Sequence, residues 1–167
     1  MTTLRIALFW LGLLASACGD DDGDPPADFA GDWTLAITNG ENGCSFERWE
    51  VGDTATAIPF TITQSDRSVT GNVQGIVAGY LDIVLGAHTF TGDVYGTNAQ
   101  MTLYGSRSVT EGSCTWTVNA TVDADLAGDV ITGEIDYAAA TNGAPDCGAR
   151  EGCHTLQHFN GTRPPSP

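Results

Sequence analysis

The chain has 167 residues, and 21 acidic side chains against 6 basic ones give it a formal net charge of -15. An acidic excess of that size excludes ordinary nucleic-acid binding, which draws on Lys and Arg to displace counterions. All six cations are Arg (Arg5, Arg48, Arg67, Arg107, Arg150, Arg163), so a GxxxxGK phosphate loop and a lysine Schiff base are excluded as well.

Residues 1–17 carry one cation, Arg5, then an apolar run from Ile6 to Leu14, then the small residues Ala15, Ser16 and Ala17 ahead of Cys18. This is the layout of a signal peptide. The run is far shorter than the roughly 20 helical residues that cross a bilayer core of about 30 Å, so the segment is expected to be absent from the mature protein. Leu14-Ala15-Ser16-Ala17-Cys18 resembles the lipobox of bacterial lipoproteins, with Ala15 where that class more often has Leu. The resemblance implies that Cys18 is the lipidated, palmitate-bearing first residue. With Gly19 rather than Asp after it, it also implies sorting to the outer membrane, on the periplasmic or the cell-surface face. Cleavage without lipidation is the alternative.

Residues 18–28, Cys18 to Asp28, are rich in Asp, Gly and Pro without apolar periodicity and read as a flexible acidic tether. The Asp cluster lacks the spacing and closing Glu of a calcium loop. A single all-β domain is expected over 29–162, with an unstructured tail over 163–167.

Within that domain apolar residues alternate with polar ones, as half-buried strands require. Trp33, Leu35 and Ile37 form one series, Ile58, Phe60 and Ile62 a second, and Cys114, Trp116, Val118, Ala120 and Val122 a third. Strands are expected near 31–38, 44–51, 56–64, 68–77, 80–85, 88–95, 99–105, 113–123, 129–138 and 155–160, with no convincing helical stripe. Pro59 implies an edge, a bulge or a later strand start. Val69-Thr70-Gly71-Asn72-Val73, Phe90-Thr91-Gly92-Asp93-Val94 and Ile131-Thr132-Gly133-Glu134-Ile135 repeat one pattern, with a degenerate copy at Val109-Thr110-Glu111-Gly112. The spacing suits successive hairpins, and each Gly suits a sheet that curls tightly. The fold class is therefore all-β, an antiparallel up-and-down meander of eight to ten strands, closed as a barrel or folded as a sandwich.

The order of Gly31-Asp32-Trp33, the Thr-Gly units, Trp116-Thr117-Val118 and Ile131-Thr132-Gly133-Glu134-Ile135 resembles avidin-like and, more loosely, lipocalin-like barrels. The resemblance implies a cavity with Trp33 and Trp116 on its aromatic side. The late-strand Trp of avidins has no counterpart in Thr155-Leu156-Gln157-His158-Phe159, which speaks against biotin.

With Cys18 set aside, Cys44, Cys114, Cys147 and Cys153 are an even set in an exported protein, and two disulfides are expected. Of the three connectivities, Cys44 with Cys114 and Cys147 with Cys153 is preferred, because the short 147–153 segment closes easily on itself. His154 and His158 lie on one strand face beside Cys153, but oxidised Cys and solvated His are the commoner outcome, and no metal or other cofactor is expected. His88 reads as a rim or core residue. No GxSxG or HExxH motif occurs, and the pairs Asp123/Asp125 and Glu134/Asp136 suit an acidic surface, so no enzyme is expected. The expected partners are the membrane, through the lipid, and a small apolar or aromatic ligand lined by Trp33, Tyr80, Phe90 and Trp116. The alternative is a fully packed core in a protein that docks another envelope component.

Overall fold

The computed structural model describes residues 25–164; Cys18 and the signal-like segment lie outside them. The elements in chain order are β1 (Gly31–Asn42), β2 (Thr54–Ser65), β3 (Ser68–Val73), α1 (Gly75–Val84), β4 (Thr89–Tyr95), β5 (Asn98–Leu103), β6 (Val109–Glu111), β7 (Cys114–Ala127), β8 (Val130–Thr141), a 3-10 helix (Pro145–Arg150) and β9 (His154–Thr162). Every strand pair is antiparallel. Eight strands close in the order β1-β2-β3-β4-β5-β7-β8-β9, with β9 returning to β1 and β5 paired to β7. The short β6 continues along the start of β7, where Val109 faces Trp116. The meander is thus a closed barrel, which leaves no long unpaired edge.

The alternation works as expected: Trp33, Leu35, Ile58, Phe60, Ile62, Trp116, Ala120 and Val122 are buried, while Asp32, Thr34, Pro59, Thr121 and Asp123 between them are exposed. Closure explains the repeated Gly. A Cβ on Gly92 would strike the carbonyl of Gln100 across β4–β5, and one on Gly133 would strike the carbonyl of Asp123 across β7–β8. Only a residue without a side chain lets the backbones coil so closely. Pro59 stands inside the sheet, but its carbonyl accepts from Gln74 N just beyond the end of β3, so its missing N–H costs no ladder bond. The bulge on this strand falls beside it, where Ala57 takes a φ of 57°.

The expected strand over 80–85 is instead part of α1, and the strand expected over 68–77 stops at Val73. Gly75, at a φ of 68°, turns the chain out of the sheet. Val77, Leu81 and Leu85 then follow at helical spacing and pack on the core, while Ile76, Tyr80 and Ile83 stay exposed and hide that stripe in an apolar run. The segment 44–51 is also no strand; it forms a folded loop between β1 and β2.

The base of the barrel, where β1 begins, is filled. Phe29 and Trp33 are buried there, and the Trp33 indole donates to the Phe29 carbonyl at 3.0 Å. Gln64 holds the entering chain, accepting from Phe29 N and donating to the Ala27 carbonyl. Ala27 N donates to Gly96, so part of the segment read as tether is bound to the barrel. Arg163, read as tail, is bound too, with its guanidinium paired to Asp129 at 3.0 Å and lying over Trp33.

Both disulfides form, with partners other than those expected. Cys44 joins Cys153, and Cys114 joins Cys147. Pairing of β9 with β1 brings Gly43 against His154, which sets Cys44 beside Cys153. The 3-10 helix after β8 returns Cys147 to the start of β7, where Asp146 accepts from the Ser113 amide and hydroxyl at 2.8 Å. Proximity in sequence favoured 147–153; barrel closure overrides it.

Candidate functional site

The end of the barrel opposite the plugged base is its mouth, where β1 meets the 43–53 loop. Below it lies a cavity of about 520 Å³. An eight-stranded barrel has just enough interior for packed side chains or one small ligand, and volumes of about 300–1,000 Å³ are those of ligand pockets. The walls are apolar side chains from inward strand positions, among them Leu35, Phe60, Phe90, Met101, Ile135 and Phe159. At roughly 30 Å³ per water, some 17 waters would fit, with few polar groups to hold them.

Two elements cover the mouth. From the β3–β4 side α1 contributes Val77, Tyr80, Leu81 and Val84. From the β1–β2 side the loop contributes Phe46, Glu47, Arg48 and Trp49. The loop is firmly held. Cys44 ties it to Cys153, Asn42 both accepts from Phe46 N at 2.8 Å and donates to the Phe46 carbonyl at 2.9 Å, and the Trp49 indole donates to Gly40 at 3.0 Å. Phe46, Trp49 and Tyr137 meet edge to face, with ring centroids 6.0–6.4 Å apart. Such pairs add specific attraction to area burial.

Beneath this aromatic cap, neighbouring strands place three polar side chains inward. The Tyr137 hydroxyl on β8 donates to Gln157 Oε1 on β9 at 2.8 Å, and Gln157 Nε2 donates to Asn39 Oδ1 on β1 at 2.8 Å. Burial, and to a lesser extent the charge that Tyr80 would carry if ionised, pushes the Tyr137 phenol far above its ordinary value. It remains a neutral hydroxyl at any physiological pH.

Of the four aromatic residues expected to line a ligand, Tyr80 and Phe90 are on the cavity wall. Trp33 is in the base plug, and Trp116 belongs to a separate small cluster with Cys114 and Cys147, under the Arg150 guanidinium at 3.8 Å. Neither Trp reaches the cavity, because each points inward at an end of its strand where other groups already fill the space. Phe46, Trp49, Tyr137, Gln157 and Asn39 were not anticipated. Three of them were signalled in the sequence, since Asn39, Tyr137 and Gln157 are residues with polar groups in the inward register of Leu35 and Ile37, of Ile131 and Ile135, and of Phe159.

The remaining candidates lie outside the barrel. His154 pairs with Asp136 at 2.8 Å and His158 with Glu134 at 3.4 Å, both on the outer face, while Cys153 is oxidised. His88 pairs with Asp82 of α1 at 2.7 Å. Asp123 and Asp125 accept from Asn98 on the outer surface. Among the described residues no group of three or more His, Cys, Asp or Glu is placed to hold a metal ion. Compared with family models, curated proteins and solved structures, the chain matches none.

Proposed function

We propose that this protein is a lipid-anchored lipoprotein of the bacterial outer membrane, and that its barrel holds one small apolar or aromatic ligand without turning it over. The observation that carries the binding half is the apolar cavity of about 520 Å³ beneath an ordered aromatic cap. A fully packed core would have no such space. The anchoring half rests on the lipobox-like sequence ending at Cys18.

The two halves fit one geometry. The chain enters at the base, while the cavity opens at the other end. Ten residues from Cys18 to Ala27 span at most about 36 Å when fully extended. The long strands, such as the 14-residue β7, cover a comparable height once tilted by about 40°. An anchored barrel therefore presents its mouth away from the membrane that holds it, on the periplasmic or the cell-surface side.

The test is native mass spectrometry of the protein exported to a bacterial periplasm with Cys18→Ser, recorded gently and again after denaturation. Extra mass that leaves on denaturation supports the cavity reading and weighs the ligand. If the bare chain persists and apolar probes do not bind, the cavity reading fails in favour of a structural protein. Labelled palmitate should enter the wild-type chain and be absent from Cys18→Ser; equal labelling of the two would overturn the anchor.

A further inference from the structure

On the strands of the barrel the cavity's polar side chains are confined to one side; the others that line it, Tyr80, Glu47 and Arg48, belong to the two elements over the mouth. Below the mouth the inward positions are apolar, and only the adjacent strands β8, β9 and β1 turn Tyr137, Gln157 and Asn39 into it, bonded in series. The series has a direction. A phenol donating to Gln157 fixes the amide oxygen on that side, which leaves Gln157 Nε2 to donate onward, so Asn39 must offer its oxygen. Asn39 Nδ2 is thereby turned away from the series, and it has no partner within the described residues. Since no buried side-chain nitrogen or oxygen among the described residues is left without a partner, this donor is open to the cavity, where an acceptor on a ligand can take the place of water.

Charge narrows what that acceptor can be. The three groups are uncharged, and the loop above them carries Glu47 next to Arg48, whose side chain is exposed at the rim. A carboxylate brought down to Asn39 would lose its hydration without meeting a counter-charge. A carbonyl or ether oxygen has far less hydration to lose.

We infer that the ligand carries a neutral hydrogen-bond acceptor, such as a ketone, ester or amide carbonyl, on its apolar body, and that Asn39 Nδ2 donates to it at the end of the relay from Tyr137 through Gln157. This rests on the cavity reading above and adds the chemistry of the ligand's polar end.

Three probes of nearly equal size test it by calorimetry on the exported Cys18→Ser protein: 2-ethylnaphthalene, 2-acetylnaphthalene and 2-naphthoate. The ketone is expected to bind about tenfold more tightly than the hydrocarbon, the worth of one net hydrogen bond. The naphthoate should bind more weakly than the ketone. Asn39→Leu should abolish the preference for the ketone, read as the ratio of ketone to hydrocarbon affinity within that variant. Tyr137→Phe, which removes only the hydroxyl, should reduce that preference, and cooperative urea unfolding shows that each variant is folded. A ketone preference that survives Asn39→Leu overturns the assignment. So does a naphthoate that binds most tightly and loses its advantage in Arg48→Gln. Failure of all three probes to bind removes the cavity reading itself, whereas equal binding of ketone and hydrocarbon removes only the polar recognition.

Discussion

The guanidinium of Arg163 lies 4.9 Å from the centre of the Trp33 ring, and the same group donates to the carbonyls of Asp28 and Ala30 and to Asp129. One side chain from the C-terminal end thus fastens the entering N-terminal chain to the base plug. Only 11% of the Arg163 side chain is exposed, so these bonds are little weakened by water. Arg163→Ala should destabilise the protein by about 2 kcal/mol in urea unfolding, losing a cation–π contact and charge-assisted hydrogen bonds while stranding two carbonyls. Probe binding at the far end of the barrel should be unchanged.

A substitution in the cavity separates a ligand-binding barrel from a packed one. Val122 is buried on β7 and lines the cavity, so Val122→Phe puts a ring into open space. Stability should hold or rise slightly, and affinity for 2-ethylnaphthalene should fall at least about tenfold as the volume is taken. In a packed core the same change would overfill the site and cost about 1–3 kcal/mol.

The disulfides differ in what they hold. Their sequence separations of 109 and 33 correspond, in the chain-entropy model, to about 5 and about 4 kcal/mol. Replacing both Cys44 and Cys153 by Ala should lower stability and loosen the 43–53 loop, seen as a shift in Trp49 fluorescence and weaker probe binding. Replacing Cys114 and Cys147 should lower stability and leave the cap intact. Non-reducing peptide mapping should recover 44–153 and 114–147 pairs.

Gly92 is required by close strand approach, since any Cβ there collides with the Gln100 backbone. Backbone cannot give way as a flexible side chain does. Gly92→Ala should therefore cost several times the ~1 kcal/mol typical of point substitutions, measured as a fall in urea midpoint.

Asp146 supplies a pH dependence. Its carboxylate accepts from the Ser113 amide and then from the Ser113 hydroxyl, which lowers its pKa below the ordinary carboxyl value. A group with a depressed folded pKa takes up its proton more readily when unfolded. Its contribution is present above the ordinary carboxyl range near pH 4 and is lost as pH falls through the lowered folded value. The stability gap between wild type and Asp146→Asn should be constant above about pH 5 and shrink below about pH 4 in urea titrations at each pH.

The alternation of Trp33 with Leu35, of Ile58 with Phe60 and Ile62, and of Trp116 with Ala120 and Val122 determined by itself that the chain makes half-buried strands, because period two is a local property of an extended backbone. The Thr-Gly repeat likewise foretold tight coiling, since a missing Cβ has the same steric meaning wherever it stands. Helix α1 was not legible, and strands were expected in its place, for Ile76, Tyr80 and Ile83 stay exposed and hide the stripe of Val77, Leu81 and Leu85. The cysteine pairing was not legible, because it depends on β9 returning to β1, a contact between residues more than a hundred positions apart. The site was decided in the same way. Asn39, Tyr137 and Gln157 are visible in the sequence as polar residues at inward positions, but closure alone makes their three strands neighbours and turns isolated exceptions into one hydrogen-bonded wall.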